Sequence, residues 1–223
     1  MSFRKNMVGL LSWCVMASGA WAQQAAADDT AYGVVQKTTV DVMEVVAGAD
    51  AYVDSDPERY YQAVQDILDP VIDYRGFARS VMGPYASSDR YRSLDEAGRS
   101  ELRQQLDRFT EVMRLSLVKT YSKGLLAFGG SRIEVVEPPA DVAEKSRVSV
   151  RQLIYNDEPE PYVVLYQMGR SKAGSWQLRN VIIESVNLGE IYRNQFQAAA
   201  RKDEGDLDRV IDSWTTATVE VES

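Results

Sequence analysis

The stretch SWQLRNVIIESVNLGEIYRNQF, residues 175–196, predicts a strand that turns directly into a helix, and this junction decides how the two halves of the chain connect. Its first part places apolar side chains on one face at a period of two: Trp176, Leu178, Ile182 and Val186. Glu184 falls on that same face, where a carboxylate could be a catalytic group, a capping group or part of the wall of a binding cavity. The stretch is therefore predicted to be the last strand of a sheet, followed by a helix.

Three earlier segments also alternate between apolar and polar residues, so this strand has candidate partners. They begin at Ile133, Val148 and Pro161, and the turn 171–174 joins the third segment to the quoted stretch. Adjacent strands with short connections indicate an antiparallel sheet.

The residues before these strands follow the period of helices. One helix is predicted over about residues 30–49, a second opens at 55–58, and a short third follows Asp73. The longest begins at a capping box, Ser93 and Glu96, and keeps one apolar face to about residue 125. We therefore predict an α+β fold, in which N-terminal helices and a curved antiparallel sheet covered by helices form one domain.

The N-terminus is typical of a secretory signal peptide. Arg4 and Lys5 precede an uncharged run over residues 7–20, and a small-x-small cleavage site follows at 20–22. The uncharged run is too short to span a bilayer. We predict that residues 1–22 are a cleaved signal peptide and that residues 23–223 form a single soluble domain.

The charge of the chain excludes some classes of partner. Cleavage removes Arg4 and Lys5 and no acid, which takes the formal net charge from −8 to −10. A chain this acidic is not expected to bind nucleic acid, or to bind an anionic membrane surface unaided.

Two absences argue against an enzyme. The chain has no histidine, and its single cysteine, Cys14, lies in the predicted signal peptide. The commonest general base, the commonest nucleophile pair and most zinc sites are therefore excluded, and no metal site is expected. Asp73 and Glu184 remain as candidate acid–base groups, but the interpretation we favour is structural: a helix N-cap for Asp73 and a buried pairing group for Glu184.

One stretch of the acidic chain is basic. Residues 113–133 contain no acid but hold Arg114, Lys119, Lys123 and Arg132. Such a stretch is suited to a phosphate head group or an acidic partner surface, and equally to a solvated helix face.

Three stretches resemble the MlaC family, also called the toluene-tolerance family of periplasmic phospholipid-binding proteins. Residues 73–83, DYRGFARSVMG, are similar to the family's D-x-x-x-x-A-x-x-V-L-G. Residues 116–135, SLVKTYSKGLLAFGGSRIEV, resemble its helix, glycine turn and strand. The quoted stretch resembles W-x-x-x-D-V-x-x-E-G-[VI]-S-L-x-x-x-Y-R-x-Q-F, with Asn180 in place of the aspartate and residues 185–187 in place of G-V-S.

The resemblance implies an NTF2-like fold enclosing an apolar cavity for phospholipid acyl chains, and a monomeric periplasmic carrier without catalytic activity. Its partners would be an inner-membrane ABC transporter complex with its periplasmic lipid-binding subunit and an outer-membrane lipoprotein complex, and its only ligand a bound phospholipid. Shuttling between them would maintain outer-membrane lipid asymmetry. We predict that the cavity is lined by Phe77, Val81, Met113, Leu117, Tyr121, Val150, Leu165, Ile182 and Val186. We place the head group or the docking surface at Arg114, Lys119 or Lys123.

Three alternatives remain open. A carrier of another lipid, such as a hopanoid, would keep the fold. An NTF2-like enzyme would depend on a single buried carboxylate, and an adaptor would have a filled core with no room for an acyl chain.

Overall fold

A computed structural model describes residues 30–139, 142, 145–156 and 159–214. The predicted signal peptide, residues 1–22, lies outside these ranges. In the described ranges, every helix falls short of the length or the apolar character that crossing a bilayer requires.

Helices fill the first half of the chain. They are α1 (Ala31–Ala49), α2 (Pro57–Leu68), α3 (Tyr74–Met82), α4 (Ser88–Ser93) and α5 (Glu96–Leu126), with a 3₁₀ turn at Gly83–Ala86. The predicted capping box of α5 is wrong, because Ser93 still belongs to α4. Asp95 caps α5 instead, and its Oδ1 accepts from the Gly98 N–H at 2.8 Å.

The second half forms an antiparallel sheet of adjacent strands, which confirms the predicted fold class. The strands are β1 (Arg132–Val136), β2 (Arg147–Tyr155), β3 (Tyr162–Arg170), β4 (Trp176–Ile183) and β5 (Val186–Asn187), in that spatial order. Before α3, Ile72 forms a parallel bridge with Leu178, so the edge of β4 is paired there as well as at β5. Helices α6 (Leu188–Lys202) and α7 (Leu207–Asp212) follow.

Within the described residues, helices cover one face of the sheet, and we call it the inner face. On β2 the side chains alternate, so that Val148, Val150, Gln152 and Ile154 are buried on the inner face. Residues between them, such as Arg147 and Arg151, are exposed on the outer face.

Buried apolar side chains form three clusters. The helical core joins α3, α5, α6 and α7 and includes Phe109, Met113, Tyr192 and Phe196. The sheet core joins the first turns of α1 to the inner face and includes Val35, Val148, Val150 and Met168. The N-terminal core joins the second half of α1 to α2 and includes Val46, Tyr60 and Val64. The helical core and the inner face meet at Val181 and Ile183, which are partly buried and pack against the helical core.

A β-bulge in β4 changes which residues reach the inner face. Leu178 is opposite Met168, but Asn180 is opposite Gln167, so Arg179 is an extra residue in the ladder. Beyond Arg179 the inner face carries Val181 and Ile183, and Ile182 points to the outer face. The prediction that Trp176, Leu178 and Ile182 share one face is therefore wrong, because the bulge reverses the alternation between them.

Candidate functional site

Tyr166 marks the centre of the inner face. Its neighbours across the ladder are Val150 on β2 and Val181 on β4. Burial raises the pKa of its hydroxyl well above the usual value of 10.0. The side chain is nevertheless only half-buried by surface area, and its hydroxyl hydrogen-bonds to no described residue. The described residues therefore leave part of this central side chain uncovered.

Helix α5 presents different surroundings along its length. Its first half is packed into the helical core through Leu102, Leu106, Phe109 and Met113, and the last two are fully buried. Further along, Leu117, Tyr121 and Leu125 are only partly buried. The second half of α5 therefore carries apolar side chains that the described residues do not cover completely. Leu117 and Tyr121 lie at the margin of the helical core, and Leu125 packs against the N-terminal core.

A pair of tyrosines closes the helical core at this margin. The hydroxyls of Tyr121 and Tyr192 lie 2.7 Å apart, and burial raises the pKa of both. Tyr192 is fully buried and makes an edge-on contact with Phe77, with ring centroids 6.2 Å apart. The pair stays neutral at physiological pH, so it can line an apolar space without introducing charge.

The predicted cavity residues fall into three groups. Phe77, Val81 and Met113 belong to the helical core, and Leu117 and Tyr121 lie at its margin. Val150 is in the sheet core, and Val186, opposite Ile183, shares the inner face with it. Leu165 and Ile182 face each other across the ladder on the outer face, so they cannot line a space inside the protein.

Most cations of the predicted head-group or docking set are already paired. The Arg114 guanidinium binds Asp69, with Nε 3.0 Å from Oδ1, and also reaches Glu111 at 2.8 Å. Hydrogen bonding to Asp69 raises the pKa of Arg114 further. Lys119 pairs with Glu58 at 3.3 Å. Lys123 is exposed and has no ion pair with any described residue. The basic stretch is therefore largely neutralised by acids from elsewhere in the fold.

The two candidate acid–base carboxylates have structural roles in the fold. Asp73 caps α3, where its Oδ1 accepts from the Gly76 N–H at 3.0 Å, and it forms an ion pair with Arg179. This confirms the capping interpretation. Glu184 is exposed, so its predicted burial is wrong. It occupies a two-residue turn between β4 and β5, and its carboxylate accepts from the Val163 N–H.

No group of three potential metal ligands occurs among the residues that the structure describes. A cleft of about 550 Å³ lies against α3 and α6 and is lined in part by Arg79 and Arg193. Arg79 donates to the Ala86 carbonyl at 3.1 Å and Arg193 to the Ser80 carbonyl at 3.0 Å. None of the predicted cavity residues is part of its lining.

Sequence reasoning missed Gln152 and Tyr166. Gln152 is 4% exposed on the inner face, among apolar neighbours, and its Oε1 has no hydrogen-bond partner among the described residues. The sequence did contain a signal for Gln152, because this polar residue falls on the same alternate positions of its strand as Val148 and Val150. A polar residue on the buried side of a strand indicates either a buried partner or a site.

The sequence model of the family described as MlaC protein matches residues 36–216. The chain is 31% identical over 188 residues to the toluene tolerance protein ttg2D of Pseudomonas putida, which covers 84% of this chain and 81% of that protein. It also matches the structure of a phospholipid-binding protein from Ralstonia solanacearum in complex with a phospholipid. That match has a TM-score of 0.65 at 20% identity and covers 82% of this chain and 97% of the other. The structural likeness shows a shared fold.

Proposed function

The chain belongs to the MlaC protein family, and from this premise we propose that it is a periplasmic carrier that binds a phospholipid. In this role it would shuttle lipid between the outer and inner membranes and so maintain the lipid asymmetry of the outer membrane. The Ralstonia solanacearum protein of the same fold holds a phospholipid, which supports the proposal.

The observation that carries the proposal is the accessible surface of Tyr166 deep inside the molecule. Together with the half-buried Leu117 and Tyr121 of α5 and Val181 of β4, it supports an apolar space between helices and sheet. Burying one methylene contributes about 0.8 kcal/mol. A phospholipid therefore leaves a bilayer readily only when the protein offers its acyl chains a space as apolar as the bilayer interior.

The same site supports a carrier rather than an enzyme. Asp73 is engaged with Gly76 and Arg179, and Glu184 is exposed in a turn, so neither offers a buried carboxylate to a substrate. A carrier needs no acid–base group, and the side chains around Tyr166 on the inner face are apolar or neutral. Neither of these two carboxylates therefore suits the alternative of a carboxylate-dependent enzyme.

The carrier role requires export and docking. We propose that residues 1–22 direct the chain to the periplasm and are removed there. The monomer would then dock in turn on an outer-membrane lipoprotein complex and on the periplasmic lipid-binding subunit of an inner-membrane ABC transporter. Lys123, an exposed cation without an acidic partner in the described fold, is the candidate contact that remains from the basic stretch.

Lipid extraction tests the proposal. Mature protein purified from its periplasm is extracted with organic solvent, and the extract is examined by mass spectrometry. We expect phospholipid in amounts comparable to the protein, and uptake of labelled phospholipid from vesicles by the emptied protein. A polycyclic lipid without phosphate would favour the hopanoid alternative. No lipid in the extract, together with no uptake, would overturn the carrier role and favour a filled adaptor.

A further inference from the structure

Gln152 is buried where its side chain has no partner. It lies on the inner face between Val135 of β1 and Val164 of β3, and 4% of its surface is exposed. Its amide hydrogen-bonds to no described residue. Its Oε1 is fully buried without a partner among the described residues, whereas its NH₂ is not fully buried. A donor that reaches no described residue can gain a hydrogen bond from an acceptor placed beside it, so the NH₂ is the end of Gln152 that a ligand can bind.

Tyr166 supplies a second unpaired donor beside it. Gln152 is opposite Val164 and Val150 is opposite Tyr166, so Gln152 and Tyr166 are diagonal neighbours on the inner face. Diagonal neighbours in an antiparallel sheet are about 7–8 Å apart, within reach of one shared ligand group for side chains of this length. The Tyr166 hydroxyl, like the Gln152 amide, hydrogen-bonds to no described residue.

The chemistry of the two donors selects a class of ligand group. Both are neutral, and burial keeps the Tyr166 hydroxyl protonated. The inner-face residues next to them, Val150, Val164 and Val181, carry no charge that could balance a phosphate. The two donors can therefore bind a neutral acceptor, because no unbalanced charge is then buried. The ester carbonyls of a glycerolipid are such acceptors, and they are covalently joined to the acyl chains.

We propose that Gln152 and Tyr166 together form an ester-recognition site, in which both side chains donate to the ester linkages of a bound glycerolipid. This inference rests on the proposed lipid-carrier function and deepens it. The site distinguishes ester-linked lipids from lipids of equal hydrophobicity that lack an ester.

The test compares two lipids that differ only in this linkage. Vesicles contain equal amounts of diacyl and dialkyl phosphatidylglycerol of matched chain length, and the lipid taken up by the mature protein is quantified by mass spectrometry. Because each net hydrogen bond favours the ester lipid roughly threefold or more, we expect the wild type to prefer it about tenfold. Gln152→Leu and Tyr166→Phe should each reduce that preference to about threefold, and the double variant should abolish it.

Gln177→Leu is the matched control, since Gln177 lies on the outer face of β4 opposite Gly169. It should keep the wild-type preference. Gln152→Leu should also unfold at a urea concentration no lower than the wild type, because it removes a buried amide without a partner. Equal uptake of both lipids by the wild type would overturn the ester site and leave the carrier role intact. Uptake of neither would overturn the carrier role itself.

Discussion

Asn180 illustrates how one amide connects a strand to the helix that follows. Its Nδ2 donates to Gln167 Oε1 at 3.0 Å and to Asn187 Oδ1 at 2.8 Å, and its Oδ1 accepts from the Gly189 N–H at 3.0 Å. Asn187 in turn caps α6 by accepting from the Glu190 N–H. The family pattern that residues 175–196 resemble has aspartate and serine at these two positions, a pair in which serine can donate to aspartate.

This coupling predicts a double-mutant result. Asn180→Asp should lower the free energy of unfolding by about 1–2 kcal/mol, because a carboxylate cannot donate to Asn187 Oδ1 and repels it. Adding Asn187→Ser should restore most of the loss, since a serine hydroxyl caps α6 and donates to the aspartate. Urea unfolding of the four proteins in the cycle measures the coupling. Additive effects would show that the two positions are independent.

Ser185 holds a backbone conformation that favours glycine. In the turn between β4 and β5, Glu184 has φ 46° and Ser185 has φ 69°. A two-residue turn with both φ values positive matches the twist of its strands, but it strains residues with a side chain.

Ser185→Gly should therefore raise the free energy of unfolding by about 0.5–1 kcal/mol, because glycine removes that strain. The measurement is the midpoint of urea unfolding, with Ser185→Ala as the control that keeps a Cβ and should gain nothing. A gain in both variants would mean that the strain is not at this residue.

At the scale of elements, the bulge at Arg179 decides what β4 presents to the interior. A period-two pattern identifies a strand, but it cannot count an extra residue, because the bulge depends on how the neighbouring strand pairs. Arg179 itself is held by the ion pair with Asp73, which lies before α3. Residues 175–196 are enough to predict the strand, the turn and α6. They do not show that Val181 and Ile183, rather than Ile182, lie on the inner face.

Adjacent residues across the bulge provide a matched test. Val181→Trp adds bulk to the inner face and should reduce phospholipid uptake from vesicles several-fold, because it occupies space that the acyl chains need. Ile182→Trp makes the same kind of change on the outer face and should leave uptake unchanged. If Ile182→Trp blocks uptake instead, Ile182 rather than Val181 faces the site, which contradicts the register of β4.

The other errors have the same origin in long-range contacts. Arg114 looked available for a head group because its partner Asp69 is 45 positions away in the chain. The period of α5 was correct, yet it could not show that Met113 is fully buried while Leu117 is not. In the same way, no local pattern reveals that Gln152 lacks a partner, since this depends on everything that packs above the sheet.

At the scale of the whole molecule, buried tyrosines set the response to pH. The chain has no histidine, and burial raises the pKa of Tyr60 to about 12 and raises those of Tyr74, Tyr121, Tyr166 and Tyr192. Tyr60 is fully buried and donates to the Ser122 carbonyl at 2.8 Å, which joins α2 to α5. The folded state thus holds these protons at pH values where the unfolded chain releases them.

Stability should therefore be constant up to about pH 10 and fall steeply above it, since the unfolded state then binds fewer protons than the folded state. Each such tyrosine contributes a slope of about 1.4 kcal/mol per pH unit. Tyr60→Phe should cost about 1 kcal/mol at pH 7 through its lost hydrogen bond, but should flatten the decline between pH 10 and about 12. Urea unfolding at several pH values checks both effects, and parallel curves for the two proteins would contradict the assignment to Tyr60.

The pairing of the β4 edge at two places also bears on aggregation. Ile72 occupies one end of that edge and β5 the other, so a foreign strand finds few free backbone groups there. The opposite edge, β1, is five residues long, exposes Arg132 and Glu134, and is followed at once by Pro138 and Pro139. Short length, charge and nearby proline all discourage strand addition. A sheet that leaves one face uncovered by the helices of the described ranges is thereby protected against edge-to-edge association with other copies of the chain.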